Sequence, residues 1–412
     1  QLGAGIANSA HIIGGAATNT VVFRLPEGGG AFSLAGTAFT YENWGPNSAI
    51  ELRAPDVPTG AYALTGSTGQ DSLRGAGGND SLSGLDGSDF LSGFAGDDLL
   101  LGGEGVDRLN GGDGFDTASY VTASFGVSVN LTLVGAQNTF GGGTDTLTSI
   151  ENLTGSAFGD TLTGDDGNNV LTGGAGVDTL IGGLGDDTLV GGDNTDFIVD
   201  TSGIVSIDGG AGNESITLGA AVVSGTVDGG VGTDQLTKGG SIAGLTISNV
   251  EILNTNGGTV TATAAQLESF DTIRFSVGQP FTAVSLALAG AGTVDLADEL
   301  TGRRALFAGT SGNDVITTST GSDQIDGGAG DDTLVGNAGN DTLIGGLGDD
   351  VLLGGDGTDF LVELAGVVSV DGGDGDDVIT LGAALSSGTV AGGLGTDQLN
   401  KGGAIAGLTI SG

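Results

Sequence analysis

Aspartate recurs along this chain at a spacing that could do chemistry. Asp71, Asp80, Asp89, Asp98, Asp107 and Asp116 follow at nine-residue intervals; so do Asp160, Asp178, Asp187 and Asp196, with Asn169 in the missed place. A third run holds Asp314, Asp323, Asp332, Asp341, Asp350 and Asp359, and Asp377 lies eighteen residues beyond the last of these. Carboxylates serve as general acids and bases or as cation ligands. Glycoside hydrolysis needs two isolated carboxyls with shifted pKa values across a cleft, not registered runs. His11 is the only imidazole and there is no Cys, so neither a zinc site nor a Ser-His-Asp arrangement can be assembled. What remains is a repeated oxygen-ligand site for a hard cation.

Each aspartate is the sixth residue of a nine-residue unit, Gly-Gly-x-Gly-x-Asp-x-(Leu/Ile/Phe)-x. Gly102, Gly103, Gly105, Asp107 and Leu109 show one copy, Gly173, Gly174, Gly176, Asp178 and Leu180 another, and Gly345, Gly346, Gly348, Asp350 and Leu352 a third. The glycines allow the first six residues to turn tightly with their carbonyls aimed at one point. The last three suffice only for a short strand whose central apolar residue points inward. One unit is half a coil, so same-side loops recur every eighteen residues and their aspartates stack: Asp71, Asp89 and Asp107 in one column, Asp80, Asp98 and Asp116 in the opposite one. Carboxylates a strand spacing apart repel unless a cation lies between them. Oxygen ligands at about 2.3 to 2.6 Å in a flexible shell suit Ca2+ better than Mg2+.

These registered units, six over 66–119, five over 155–199 and six over 309–362, closely resemble the haemolysin-type calcium-binding repeats of bacterial RTX proteins. The resemblance implies an all-β fold, a right-handed parallel β-roll or β-solenoid, with multiple Ca2+ ions between successive same-side loops. It also implies type I secretion. Asn169, Glu214 and Phe158 depart from the pattern, so weaker or absent sites are expected there. Asp234 and Asp397 lie twenty residues after their predecessors, which would put them out of register.

The elements that carry these loops divide the chain into five parts. Residues 1–65 hold the only Trp, the only His and four of five prolines, with alternating stretches at Val21–Leu25 and Ala49–Arg53; they read as a β-rich cap or subunit contact. The first roll is 66–119. Residues 120–154 insert a half-buried strand pattern, Val127, Val129, Leu131 and Leu133, before a return to repeats. Residues 155–308 form a large module whose wider coils include Gly258–Thr263 and Phe281–Leu286, with Ala264–Glu268 alone looking briefly helical. Residues 309–412 begin a second copy: Thr195–Val199 recurs as Thr358–Val362 and Gly244–Ser248 as Gly407–Ser411, both 163 positions on. That copy stops at the equivalent of Asn249, so either the protein is longer or another copy completes the bare coil. The start, Gln1-Leu2-Gly3-Ala4, has neither a secretory leader pattern nor an initiator Met, as in a processed or partial terminus.

With 9 Lys and Arg against 51 Asp and Glu, the net charge is −42. Nucleic acid and anionic membrane surfaces are poor partners for such a surface, a partner bridged by divalent ions stays open, and no apolar run approaches the roughly 20 residues of a membrane helix, so no membrane insertion is expected. Without metal the chain repels itself, and calcium at extracellular levels of about 10⁻⁴ to 10⁻³ M would fold it on export, outside the cell or at the bacterial surface. The expectation is therefore a non-catalytic, calcium-stabilised structural protein, a surface-layer, filament or adhesin component that self-associates into a filament or lattice. The alternative is a calcium-binding secretion module of an exported protease or lipase whose catalytic domain lies elsewhere.

Overall fold

Every nine-residue unit spends its last residues on a strand, and each strand can bury one side chain. In the computed structural model, described for 9–13, 20–24, 30–33, 38–42, 49–53, 61–275, 283–300, 302–383, 385, 387–405 and 407–412, these strands pair in parallel with an eighteen-residue step. Leu73 lies beside Leu91 and Leu91 beside Leu109, while Leu82 stacks on Leu100 in the alternate half-coils. All five are buried. Burying each leucine contributes about 1.5–3 kcal/mol, so one apolar rung per half-coil is the whole core of a roll. The protein is an all-β parallel solenoid.

Contacts divide the chain into two compact units, Gln1–Glu214 and Ser215–Gly412. In the first, the amino-terminal strands also pair in parallel, Ser9 beside Ala38 and Thr20 beside Ala49, a twenty-nine-residue step. Ser9–Ile13 and Ala38–Glu42 form a sheet of their own, while the Thr20–Arg24 and Ala49–Arg53 pair runs on into the first roll, where Ile50 pairs with Asp71 and Ala63 with Ser81. The expected strands at 21–25 and 49–53 are present as Thr20–Arg24 and Ala49–Arg53. His11 is on the strand Ser9–Ile13, and its side chain lies outside the described residues.

The 120–154 insertion differs from its sequence pattern. The strand ends at Asn130, because the Asn130 side chain accepts the Thr132 amide at 2.8 Å and its hydroxyl at 2.8 Å, an Asx turn that closes the extended run. Leu133 and Val134 are exposed beyond it. An antiparallel hairpin, Ala136–Phe140 with Gly143–Thr148, follows and returns the chain to the sheet.

In the second unit the coils widen as expected. Ser215 pairs with Gln235 and Ile252 with Thr272, twenty-residue steps, and Val260 with Leu286, a twenty-six-residue step, before the eighteen-residue step resumes at Leu306 and Gln324. The strand expected at 281–286 runs Ala283–Leu288, and Phe281 and Thr282 lie outside the described residues. The one short helix among the described residues is Ala264–Leu267, started by a capping box in which the Thr263 hydroxyl accepts the Gln266 amide at 3.2 Å.

Candidate metal centre

The aspartates singled out by spacing are buried without exception: Asp71, Asp80, Asp89, Asp98, Asp107, Asp116, Asp160, Asp178, Asp187, Asp196, Asp314, Asp323, Asp332, Asp341, Asp350, Asp359 and Asp377 are each at most 2% exposed. Burying a charge is costly unless it is paired, so what each carboxylate meets is decisive. One oxygen is used by the backbone. Asp89 Oδ1 accepts the Asp71 amide at 2.7 Å, Asp107 Oδ1 the Asp89 amide at 2.8 Å, and Asp98 Oδ1 the Asp80 amide at 2.7 Å. The same eighteen-residue bond joins Asp160 to Asp178, Asp178 to Asp196, Asp314 to Asp332, Asp332 to Asp350, Asp323 to Asp341, Asp341 to Asp359 and Asp359 to Asp377.

The other oxygen is buried without a protein partner in Asp89, Asp98, Asp107, Asp116, Asp178, Asp187, Asp196, Asp332, Asp341, Asp350, Asp359 and Asp377. It points into a cradle left by the unit's first glycine. A Cβ on Gly84 would strike Asp89 Oδ2 and the carbonyl oxygen of Gly102; on Gly336 it would strike Asp341 Oδ2 and the Gly354 carbonyl. Carboxylate oxygen and carbonyl oxygen therefore converge on one gap in successive coils. Among the described residues no three His, Cys, Asp or Glu side chains gather at a point, so carbonyls must supply most of any metal shell. An orphaned carboxylate beside inward carbonyls, with no nitrogen or sulfur donor, fits a hard cation with a flexible oxygen shell.

The first coil of each roll is built differently. Asp80 Oδ2 accepts the Ala76 amide at 2.8 Å, Asp160 Oδ2 the Ser156 amide at 2.6 Å, and Asp314 Oδ2 the Thr310 amide at 2.7 Å. Their Oδ1 atoms accept Tyr62, Val127 and Gly292 amides, so both oxygens are held by protein. Asp71 bonds Ser67 through Oδ2 and leaves Oδ1 unpartnered. At Asp323, Thr318 stands where other units have the cradle glycine; its hydroxyl donates to the Val335 carbonyl at 3.4 Å, and Asp323 Oδ2 is buried without a protein partner. Asn169 is self-sufficient, its amide donating to the Glu151 carbonyl at 2.7 Å.

Burial and neighbouring carboxylates push these acids upward. Asp89 is raised to about 8, chiefly by burial and then by Asp107 and Asp71; Asp98, Asp107, Asp178 and Asp341 are raised to about 7, again chiefly by burial. Protons and a divalent cation thus compete for one set of oxygens near neutral pH.

Some column members were not visible in the nine-residue spacing. Asp145 and Glu151 continue the two columns across the insertion: the Asp107 amide donates to Asp145 Oδ1 at 3.1 Å and the Asp116 amide to Glu151 Oε2 at 2.9 Å. Asp397, expected out of register, is in register. The Asp377 amide donates to its Oδ1 at 3.0 Å, because the two extra residues are taken up between strands that pair Val378 with Gln398. The fifth position carries a second, exposed ladder of opposite polarity, in which Asn79 accepts the Asp97 amide and Asp97 the Phe115 amide, each at 3.0 Å. Phe90, Phe197 and Phe360 point outward, as their place before the inward residue implies.

Two lysines 163 positions apart, Lys238 buried and Lys401 half-buried, clamp loops: Lys238 Nζ donates to the Gly219 carbonyl at 2.9 Å and Lys401 Nζ to the Gly382 carbonyl at 2.9 Å. No helix among the described residues is long and apolar enough to cross a membrane.

No curated protein matches this chain. The family described as the RTX calcium-binding nonapeptide repeat (4 copies) matches residues 64–91, 83–118, 154–189, 190–221, 308–343, 326–361 and 365–384, the segments that hold the buried columns. Multiple Ca2+ ions are the cofactor those repeats imply. The rolls of this chain are thus built of RTX calcium-binding nonapeptide repeats, present in multiple copies.

Proposed function

We propose that this chain is a non-catalytic, calcium-stabilised structural protein of the bacterial exterior, a surface-layer, filament or adhesin component. Ca2+ binding between coils supplies its folding energy. The observation that carries the reading is the recurrence of fully buried carboxylates with one oxygen unpartnered, coil after coil in three rolls. A core of one apolar rung per half-coil is thin, and buried anions oppose folding until a cation neutralises them; metal binding energy then becomes folding energy. In this reading Asp89, Asp98, Asp107, Asp116, Asp178, Asp187, Asp196, Asp332, Asp341, Asp350, Asp359 and Asp377 are ligands through Oδ2. Carbonyls of the following coil complete the shell. The bound ion supplies charge neutralisation and stiffness; the chain's own groups orient it.

A calcium concentration near 10⁻³ M outside cells separates the folded state from the cytosol, where the chain would stay expanded. In this reading copies associate through edge strands and the outward aromatic side chains Phe90, Phe197 and Phe360. Negative-stain microscopy of the purified chain, with calcium and after chelation, tests this. Ordered fibres or lattices that disperse on chelation support the structural role; discrete particles at every calcium level argue against assembly.

A further inference from the structure

Besides Asp145, two further buried acids lie outside the nine-residue aspartate positions. Asp200 and Glu363 occupy equivalent places 163 residues apart, each at the first position of its unit, where glycine is the rule. The same two units carry Val205 and Val368 at the sixth position, both buried, so each has lost its regular aspartate and gained an acid five residues earlier. Both acids are fully buried.

Their surroundings show what the exchange achieves. In a regular coil the cradle holds one carboxylate oxygen and one glycine carbonyl from thirteen residues beyond that aspartate, as with Asp341 and Gly354 at Gly336. Glu363 lies thirteen residues after Asp350, and a Cβ on Gly345 would strike Glu363 Oε2 and Asp350 Oδ2 together. The two carboxyl groups are within hydrogen-bonding reach of each other. Asp200 keeps the same spacing, thirteen residues after Asp187, and the Asp187 charge acts on it. In each case one oxygen fixes the local turn, Glu363 Oε1 accepting the Ala365 amide at 3.1 Å and Asp200 Oδ1 the Ser202 amide at 3.2 Å. Glu363 Oε2, Asp200 Oδ2, Asp350 Oδ2 and Asp187 Oδ2 have no protein partner.

We infer that Asp187 with Asp200, and Asp350 with Glu363, form a two-carboxylate calcium site in each of the second and third rolls, where a first-position side chain replaces the usual carbonyl and binds the ion more tightly than the regular sites. The inference rests on the calcium reading above. Affinity of oxygen sites rises with ligand charge, and two facing buried carboxylates without a cation repel each other, so these sites fill first and hold the coil whose own aspartate is missing.

Calcium titration calorimetry on the full chain at pH 7.5 tests the assignment, with folding at saturating calcium checked by circular dichroism. Asp200→Asn and Glu363→Gln should each remove one ion from the tightest class or weaken it at least tenfold, and the double variant should lose two. Glu363→Asp, which copies the acid used in the other roll, should keep its ion. Glu363→Gln and Asp200→Asn variants that bind like the parent would overturn the assignment. So would a Glu363→Gln chain with parental calcium uptake but greater metal-free stability, the mark of a carboxyl pair sharing a proton. Should Glu363→Gln fail to fold, loss of the ion in Glu363→Asp as well would overturn it, and retention would support it. A parent that takes up no calcium overturns the calcium reading itself.

Discussion

Asp107 and Asp145 are thirty-eight residues apart, yet the Asp107 amide donates to Asp145 Oδ1 at 3.1 Å, the bond that elsewhere spans eighteen. The hairpin of the insertion adds one last carboxylate to the aspartate column of the roll. Asp145 differs from the residues above it in having its second oxygen satisfied: Tyr120 Oη donates to Oδ2 at 3.2 Å and Thr139 Oγ1 at 3.0 Å. Hydroxyls take the place the cation holds elsewhere, and the column ends there.

Replacing that terminator should therefore damage the fold with or without metal. Asp145→Ala strands the Asp107 amide and two buried hydroxyls, and should cost on the order of 2–4 kcal/mol. Urea denaturation in saturating calcium, compared with the parent, measures it.

Interior and first-coil aspartates should part company on substitution. Asp341→Asn removes an unpartnered anionic oxygen from a cradle and should lower calcium stoichiometry. Asp160→Asn and Asp314→Asn alter carboxylates whose oxygens already accept protein amides, so stoichiometry should stay as in the parent while melting temperature falls. Calorimetric titration of the three variants separates the classes.

The cradle glycines should resist substitution more than open ones. Gly84→Ala places a methyl group against Asp89 Oδ2 and the Gly102 carbonyl, whereas Gly258 has nothing within 4 Å. At least a tenfold loss of calcium affinity, about 1.4 kcal/mol, is expected at Gly84 and none at Gly258. The calcium dependence of the melting temperature reads both.

Acid should stabilise the metal-free chain. Asp89, raised to about 8, and Asp98, Asp107, Asp178 and Asp341, raised to about 7, hold more protons folded than unfolded, where aspartate titrates near 4. Their contribution is fully present below the unfolded value and is lost as pH rises from about 4 through 7 to 8. Urea unfolding in chelator should thus show stability falling over that window, and calcium should reverse the fall at its upper end.

The regular parts of this molecule were legible because one nine-residue word sets turn, strand and ligand at once: the two columns, Asp314 to Asp350 and Asp323 to Asp377, and the buried rungs follow from it. Position six alone could not reveal that Asp80, Asp160 and Asp314 spend both oxygens on amides, since that depends on which coil precedes them. Asp145, Glu151 and Asp397 escaped because a column is defined by strand register, and loops of other lengths preserve register. Asp200 and Glu363 had a signal, an acid in the glycine place of both 163-residue copies. The strand expected through Leu133 failed at Asn130, where a side-chain bond closed the turn.

The central claim is that divalent metal, held by buried carboxylate columns, makes the fold. Far-ultraviolet circular dichroism at pH 7.5 during titration with a calcium-selective chelator tests it most directly. Loss of the β-spectrum as calcium is withdrawn, with recovery when calcium but not magnesium is restored, is the predicted result. An unchanged β-spectrum in fully chelated protein would contradict it.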